Sequence, residues 1–592
     1  MFLRCKKRFK DGKEHRYWSV VESRRNAVGQ VSQRQVLYLG EINDSQKTAW
    51  CRAVEVFDDH RAAYRPMALF ASDRPVPPLD CAVVQVRLAE LTLHHPRQWG
   101  ACWLALSLWS QLRLDEFWSP RLPPSRKGVC WLNVLKTLVC YRLIDPGSEW
   151  RLHRQWFQRS AMADLLEEDE RIAQSDTLYR GLDRLLPHKD ALFQFLKQRW
   201  QDLFGARYEV LLYDLTSTYF ESNPTGTGKR QYGYSRDKRH DCTQVVIALI
   251  VTPEGLPLTY EVLAGNTADS TTLSDFLARI ERLYGRSERV WVMDRGIPTE
   301  AALSAMRQST TPIRYLVGTP KGRLTQLEQG FLGQSWTAVR ESVAVKLLQQ
   351  PEELYVLARS QPRMLKERRM RQRRLKKLWQ RLQQLQQPAR LTRDQLMLKL
   401  GATKKDAGRA WSLVKITVPP ADQTRSAQTF CFALRRDKLR QVRRREGRYL
   451  LRTNLTEEDP AKLWQYYIQL TEVEQAFKEL KSDLAIRPIY HQTDARIEAH
   501  IFVAFVAYCL QVTLKQRLRA LAPGLTPRAV IEELSGIQMV DVHLPTTDGR
   551  QLVLSRYTQP ETEQTLLLQQ LQLKLPAQLP PRILASAPAK TA

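Results

Sequence analysis

Residues 209–214 read EVLLYD, a mostly apolar run that stops on a carboxylate. Apolar residues without alternation mark a strand covered on both faces. A carboxylate at the end of such a strand is costly unless it is paired or holds a metal. Two more strands are expected next, Thr243–Thr252 (TQVVIALIVT) and Leu256–Leu263 (LPLTYEVL), joined by the turn Pro253-Glu254-Gly255. A helix follows at Thr271–Tyr284, and then a strand, Arg289–Asp294 (RVWVMD), that again stops on Asp. A helix at Pro298–Arg307, with Pro at its start, and a strand at Ile313–Val317 complete the run. The order β–β–β–α–β–α–β, with Asp214 and Asp294 ending its first and fourth strands, predicts an α/β core.

Upstream, Tyr17–Glu22 (YWSVVE) and Gln35–Leu39 (QVLYL) flank the polar stretch 23–34, which reads as a basic hairpin bearing Arg24, Arg25 and Arg34. A charged helix at Asp44–His60 and a Pro-bearing linker at Arg74–Leu79 follow. From about 98 to 205 the pattern is helical. In it Ser175–Leu186 (SDTLYRGLDRLL) carries Tyr179, Arg180 and Arg184 behind a cap-like Ser-Asp. It reads either as the recognition helix of a helix-turn-helix unit or as a packing layer. Downstream of the core, 363–381 is a strongly basic helical run, and 435–448 is a second basic cluster. The tail from 546, with Pro576, Pro580, Pro581 and Pro588, is expected to be partly disordered.

Ninety-one Lys and Arg stand against 62 Asp and Glu, a net charge of +29. A chain this basic points to a polyanion, nucleic acid first. Its nine cysteines are scattered with no C-x-x-C pair, so neither a zinc ribbon nor a disulfide framework is indicated. The basic start MFLRCKKRFKDGK lacks the apolar run of a signal peptide, and Ile501–Val512 is too short to span a bilayer. A cytoplasmic, nucleoid-associated protein is the expectation.

A third carboxylate lies far downstream in YYIQLTEVEQAFKELKSDL, residues 466–484. Nothing there breaks a helix, and Tyr466, Val473, Phe477, Leu480 and Leu484 fall on one stripe. Beside the stripe, Tyr467, Glu474 and Lys481 recur at intervals of seven residues. Asp214, Asp294 and Glu474 would together suit Mg²⁺, with Mn²⁺ able to substitute, because a softer metal calls for Cys or His. Glu221, Asp237 and Asp241 are rival carboxylates near Asp214. They alternate with Lys229, Arg230, Arg236, Lys238 and Arg239 and with Tyr232 and Tyr234, a mixture suited to phosphate contact and base stacking. Gly228-Lys229-Arg230 lacks the Ser or Thr and the upstream Gly of a phosphate-binding loop. His491 and His500 read as packing residues.

The stretches YDLTSTYFE, YGYSRDKRHDCTQVV, GLPLTYEVLAGNTADSTTL, VMDRGI and FKELKSDLAIRPIYH, with ARIEAHIF, resemble the DDE transposases of bacterial insertion sequences. The resemblance is strong over about 205–515. It is closest to the branch whose third-carboxylate helix reads Tyr-x2-Arg-x3-Glu-x6-Lys; here Leu470 stands where that branch has Arg. It implies a ribonuclease-H-like mixed sheet with flanking helices, interrupted by an insertion domain and preceded by a β-hairpin region and a helical DNA-binding region. The segments would be 1–95, 96–205, 206–320 (core), 321–446 (basic insertion), 447–545 (core with the Glu helix) and 546–592. It further implies that Asp214, Asp294 and Glu474 hold the metals and that Tyr467 and Lys481 touch DNA near the cleaved end. Arg295, Lys478 or Arg487 would replace the missing Arg, and Lys229, Arg230, Arg236 and Arg239 would meet DNA from their loop. The expected partners are terminal inverted repeats and target DNA, met by a homodimer in the synaptic complex. A metal-dependent nuclease or resolvase on the same fold, or an inactive end-binding repressor, is the alternative.

Overall fold

The computed structural model describes residues 2–10, 13–25, 31–42, 47, 55–58, 63–66 and 85–584, the last span apart from 127, 223–227, 269–270, 286–287, 310–311, 320, 387–391, 421–428 and 456–458. The chain divides into two compact units. One comprises Met1–Arg207, Leu215–Thr267 and Glu472–Ala592; the other comprises Tyr208–Asp214 and Ala268–Thr471.

In the second unit the strands lie in the order Thr337–Arg340, Val343–Gln349, Leu354–Ser360, Arg448–Thr453, Arg314–Gly318, Val290–Met293 and the start of Val210–Tyr219. Val290–Met293 runs parallel to both of its neighbours. It is buried along its whole length, as an uninterrupted apolar run requires. Residues 337–360, read from sequence as part of a separate insertion, instead extend this sheet through the antiparallel pairing of Leu354–Ser360 with Arg448–Thr453. The later part has a core of its own, in which Leu378, Leu382 and Leu385 of helix Gln361–Gln386 pack with Leu396, Leu400 and Phe430. Thr299 caps the helix Glu300–Gln308 through the Ala302 N–H, so Pro298 precedes the helix and does not start it.

In the first unit Phe2–Lys10, Lys13–Arg25 and Val31–Glu41 form a three-stranded antiparallel sheet. The first of these strands was not foreseen: among its described side chains Leu3 and Cys5 turn partly inward, and the exposed Arg4, Lys6, Lys7 and Arg8 mask the alternation. Glu55–Asp58 is a strand paired with Ala63–Pro66, which corrects the helix expected over 44–60. The rest of that helix, apart from Lys47, and the Arg74–Leu79 linker lie outside the described residues.

The helical layer is as expected, with Gly100–Gln111, Trp131–Ile144 and Lys189–Phe204 among its members. It surrounds Asp494–Leu521, which is long and apolar enough to cross a bilayer but is almost wholly buried inside the unit. Its 28 residues exceed the apolar stretch read from sequence, because turns at both ends carry charge. The tail, expected to be partly disordered from 546, carries the strand Gln551–Tyr557, the helix Thr562–Gln570 and the strand Arg582–Leu584 within the described residues. Arg582–Leu584, Gln551–Tyr557, Gln538–Pro545 and Thr92–Gln98 form one antiparallel sheet. Arg97, 4% exposed, locks it by donating to both Asp541 and Asp164 at 2.7–3.1 Å. Pro588 lies outside the described residues.

Candidate active site

The register of the parallel strands builds the first part of the site. Tyr213 lies opposite Met293, and Met293 lies opposite Val317. The residues that follow, Asp214, Asp294 and Gly318, therefore stand side by side on neighbouring strands, about 4.8 Å apart. Asp294 is exposed where its strand ends. Asp214 is half-buried and lies mid-strand, because the β-favouring Thr216, Ser217 and Thr218 carry the strand on to Tyr219. Sequence placed Asp214 at a strand end; the polar residues after it hid the continuation.

Gly318, on the other side of Asp294 from Asp214, lets the Asp294 carboxylate and Tyr467 approach closely. A Cβ there would lie 3.3 Å from Asp294 Oδ1 and 3.3 Å from the Tyr467 hydroxyl. Asp294 and Tyr467 thus converge on one spot that a side chain would fill. Tyr467 is held from behind by Tyr449 and Trp464, each with ring centroids 6.0 Å away. Only the position of Gly318 beside the Asp294 strand could have revealed its role in sequence.

The stretch carrying Glu474 is not the single helix expected. Pro460–Ile468 is one helix, with Asp459 as its cap and Pro at its first turn. Leu470–Lys478 is a second, and Glu479–Asp483 is a wider turn with i→i+5 bonding. The interruption at Gln469 and the wide turn break the alignment that the seven-residue spacing implied. The apolar stripe holds for Val473, Phe477, Leu480 and Leu484, while Tyr466 is only half-buried. Leu470 is itself buried (8% exposed), so its side chain belongs to packing. Glu474 and Lys478 are on the exposed face of the second helix, and Arg295 is exposed beside Asp294.

Lys481 meets Asp237 at 2.9 Å, and Arg487 meets the same carboxylate. Burial alone would raise the Asp237 pKa, but Arg487 and Lys481 outweigh it and hold the carboxyl below its usual range. Burial lowers the Lys481 pKa, against the pull of Asp237 in the other direction. The two shifts oppose each other; the short contact decides for a charged pair at neutral pH. Sequence missed this role for Asp237, which read as one acid among many cations.

The loop that bears Asp237 is fixed by close backbone packing. A Cβ on Gly233 would lie 2.0 Å from the Gly265 carbonyl, and a Cβ on Gly265 2.0 Å from the Gln244 carbonyl. Gln244 donates from its amide to the carbonyls of Tyr234 and Gly265. Arg236 N–H donates to Ser217 Oγ. Several cations of this loop serve the fold. Lys229 donates to Glu498 (2.6 Å) and to the Val262 carbonyl (2.9 Å). Arg230 is buried, bonded to Thr243 and stacked on Phe220. Arg239 pairs with Asp241 and Glu221. Tyr232 and Tyr234 are exposed, at 56% and 79%. On Ser175–Leu182, Tyr179 faces His491 and Arg496 and Arg180 is exposed, while Arg184, in the turn after it, covers Trp131.

The chain matches the family described as transposase DDE domain over residues 205–510, a span that includes Asp214, Asp294 and Glu474. Residues 3–55 match the IS1634 family transposase N-terminal domain. Among solved structures it is similar to a cryo-EM structure of the piggyBac transposase synaptic complex with hairpin DNA. That similarity has 9% identity, 73% of this chain and 79% of that chain covered, and a TM-score of 0.36. No curated protein matches the chain.

Proposed function

The chain belongs to the DDE transposases, enzymes that cleave DNA and transfer strands with divalent cations, and from that premise we propose that Asp214, Asp294 and Glu474 are its catalytic carboxylates. The observation that carries this reading is the strand register that sets Asp214 beside Asp294, with Gly318 allowing Tyr467 close to Asp294 on the other side. An all-oxygen donor set fits Mg²⁺, with Mn²⁺ as a substitute. Such ions activate the attacking water or 3′-hydroxyl and offset charge on the leaving oxygen. The side chains do the rest. Asp214 and Asp294, fixed by paired backbone, set where a scissile phosphate must lie, and the Tyr467 hydroxyl is close enough to orient it. The parallel order on one half of Val210–Tyr219, with Gln244–Val251 and Pro257–Ala264 following its other half, supports a ribonuclease-H-like core. In that reading 206–320 and 447–545 make up the core, strands 337–360 widen its sheet, and the basic part from Gln361 to 446 is inserted.

DNA contact falls to the exposed Lys478 and Arg295 and the half-buried Arg236, with the Tyr232 and Tyr234 rings for stacking. Lys229, Arg230 and Arg239 hold their loop in the shape that presents those groups. Helix Gln361–Gln386 adds exposed Arg369, Arg373 and Lys377 for phosphates away from the cleaved bond. A homodimer would bring two terminal repeats and the target together.

The test is nicking of DNA carrying the element's own terminal repeats, with Mg²⁺ or Mn²⁺, by wild type and Glu474→Gln. Metal-dependent nicking at the repeat boundary that disappears in the variant, with binding kept, supports the triad. Specific binding without cleavage by wild type leaves an end-binding repressor. Cleavage without strand joining leaves a nuclease.

Lys481 can reach a phosphate only by exchanging it for Asp237. Asp237→Asn is therefore expected to tighten DNA binding at low salt and to steepen the salt dependence of log K by about one unit per freed cation. Because the folded-state pKa of Asp237 is depressed, its contribution to stability is full above the unfolded value of about 3.9. It is lost as pH falls through the folded value, so the comparison belongs near pH 7. Fluorescence anisotropy across a salt series makes the measurement. An unchanged slope would remove Lys481 from the DNA interface.

A further inference from the structure

Away from the carboxylates, three buried side chains meet inside the first unit. Glu149 begins the helical stretch that continues to Arg159, His491 lies in the segment after the Glu474 helix, and His500 is in the second turn of Asp494–Leu521. They are 4%, 7% and 2% exposed. One donor atom from each lies within 4.8 Å of the other two. We propose that Glu149, His491 and His500 bind one first-row transition-metal ion, zinc by preference, as a structural site separate from the catalytic carboxylates.

The spacing carries the argument. His491 Nε2 is 3.4 Å from Glu149 Oε2, and His500 Nδ1 is 3.5 Å from Glu149 Oε1. Hydrogen bonds would close these gaps to about 2.7–3.2 Å. Donors on a tetrahedral ion with bonds of about 2.0–2.1 Å are instead held about 3.4 Å apart. His491 Nε2 is enclosed in protein, points at the carboxylate and has no hydrogen-bond partner. Two imidazoles and one carboxylate favour a borderline ion over Mg²⁺, and three protein donors leave one position for a water.

Arg142 is the rival for neutralising Glu149. Its guanidinium lies 3.7 Å from Glu149 Oε1 and 3.4 Å from His500 Nδ1, and it donates to the Ala485 carbonyl. The carboxylate is not within hydrogen-bond reach at 3.7 Å, but the contact to His500 Nδ1 uses the lone pair that would ligate, so an ion here must displace Arg142 from that nitrogen. An ion here would pin residues 484–493, and with them Arg487, to the helical layer.

The experiment uses the full chain, purified without a histidine tag or chelator. Metal analysis after gel filtration in excess Mg²⁺ should find about one zinc per chain. Glu474→Gln should keep it, and Glu149→Gln/His491→Gln should lose it. If the double variant does not fold, wild type stripped with a chelator and titrated with Co²⁺ gives the answer. A visible ligand-field band that saturates at about one equivalent supports the site. Wild type that is isolated without zinc and shows no cobalt band overturns it and leaves Arg142 as the partner of Glu149.

Discussion

Asp294→Asn is expected to reduce metal-dependent nicking of terminal-repeat DNA by about 10³-fold or more, the scale on which removal of a charge-stabilising group slows an enzyme. Binding of the same DNA should stay within about two-fold, because the substitution removes a negative charge from a surface that meets phosphates. The geometry makes this a clean test. Asp294 is exposed and follows the last residue of its strand, so asparagine disturbs neither the core nor the pairing of Val290–Met293. Asparagine keeps the shape and one carbonyl oxygen and loses only the charge that a divalent cation requires. Single-turnover cleavage on pre-formed complexes reads the effect apart from binding. A variant that retains more than about a tenth of wild-type cleavage would remove Asp294 from the catalytic set.

The apolar strands that carry Asp294 and Asp214 were legible because local sequence reports burial well. What escaped depends on partners far along the chain. Gln551–Tyr557 and Arg582–Leu584 are strands only because Thr92–Gln98 anchors their sheet through Gln538–Pro545. Strands 337–360 read as an insertion because nothing nearby says that Arg448–Thr453 will receive them. The break at Gln469 has neither Gly nor Pro to announce it. Charge misled more than apolarity did. Lys229 and Arg230 looked like phosphate ligands, and only the fold reveals Glu498, Thr243 and Phe220 around them. A cation in sequence has no visible partner, and its availability to a ligand follows from burial.

The same point, turned to stability, predicts the effect of Arg452→Met. Arg452 is 5% exposed on the strand beside Arg314–Gly318, opposite Val317. It donates to both Glu353 oxygens at 2.7–3.0 Å and to Glu300 at 2.7 and 2.8 Å. Without it, Glu300 returns to water, since its side chain is 59% exposed, but Glu353 stays buried. Arg307, at 2.7 Å, and the Tyr315 hydroxyl still reach Glu353, so the loss falls at the lower end of the range for breaking a buried pair, about 3 kcal/mol. For a unit of this size that corresponds to a fall of roughly 6–12 °C in the melting transition. Adding Glu353→Leu should recover much of it, because a buried apolar residue no longer needs a counter-charge. A single variant that melts with wild type, or a double variant that melts no higher than the single, would refute this account. The site should respond as well. Only the strand Arg314–Gly318 separates the Arg452 strand from the Asp294 strand, and Arg452 pairs beside Gly318, so loosening it moves the floor on which Asp294 and Tyr467 converge. Cleavage by Arg452→Met should therefore fall at temperatures well below its melting point, and the double variant should regain cleavage along with stability.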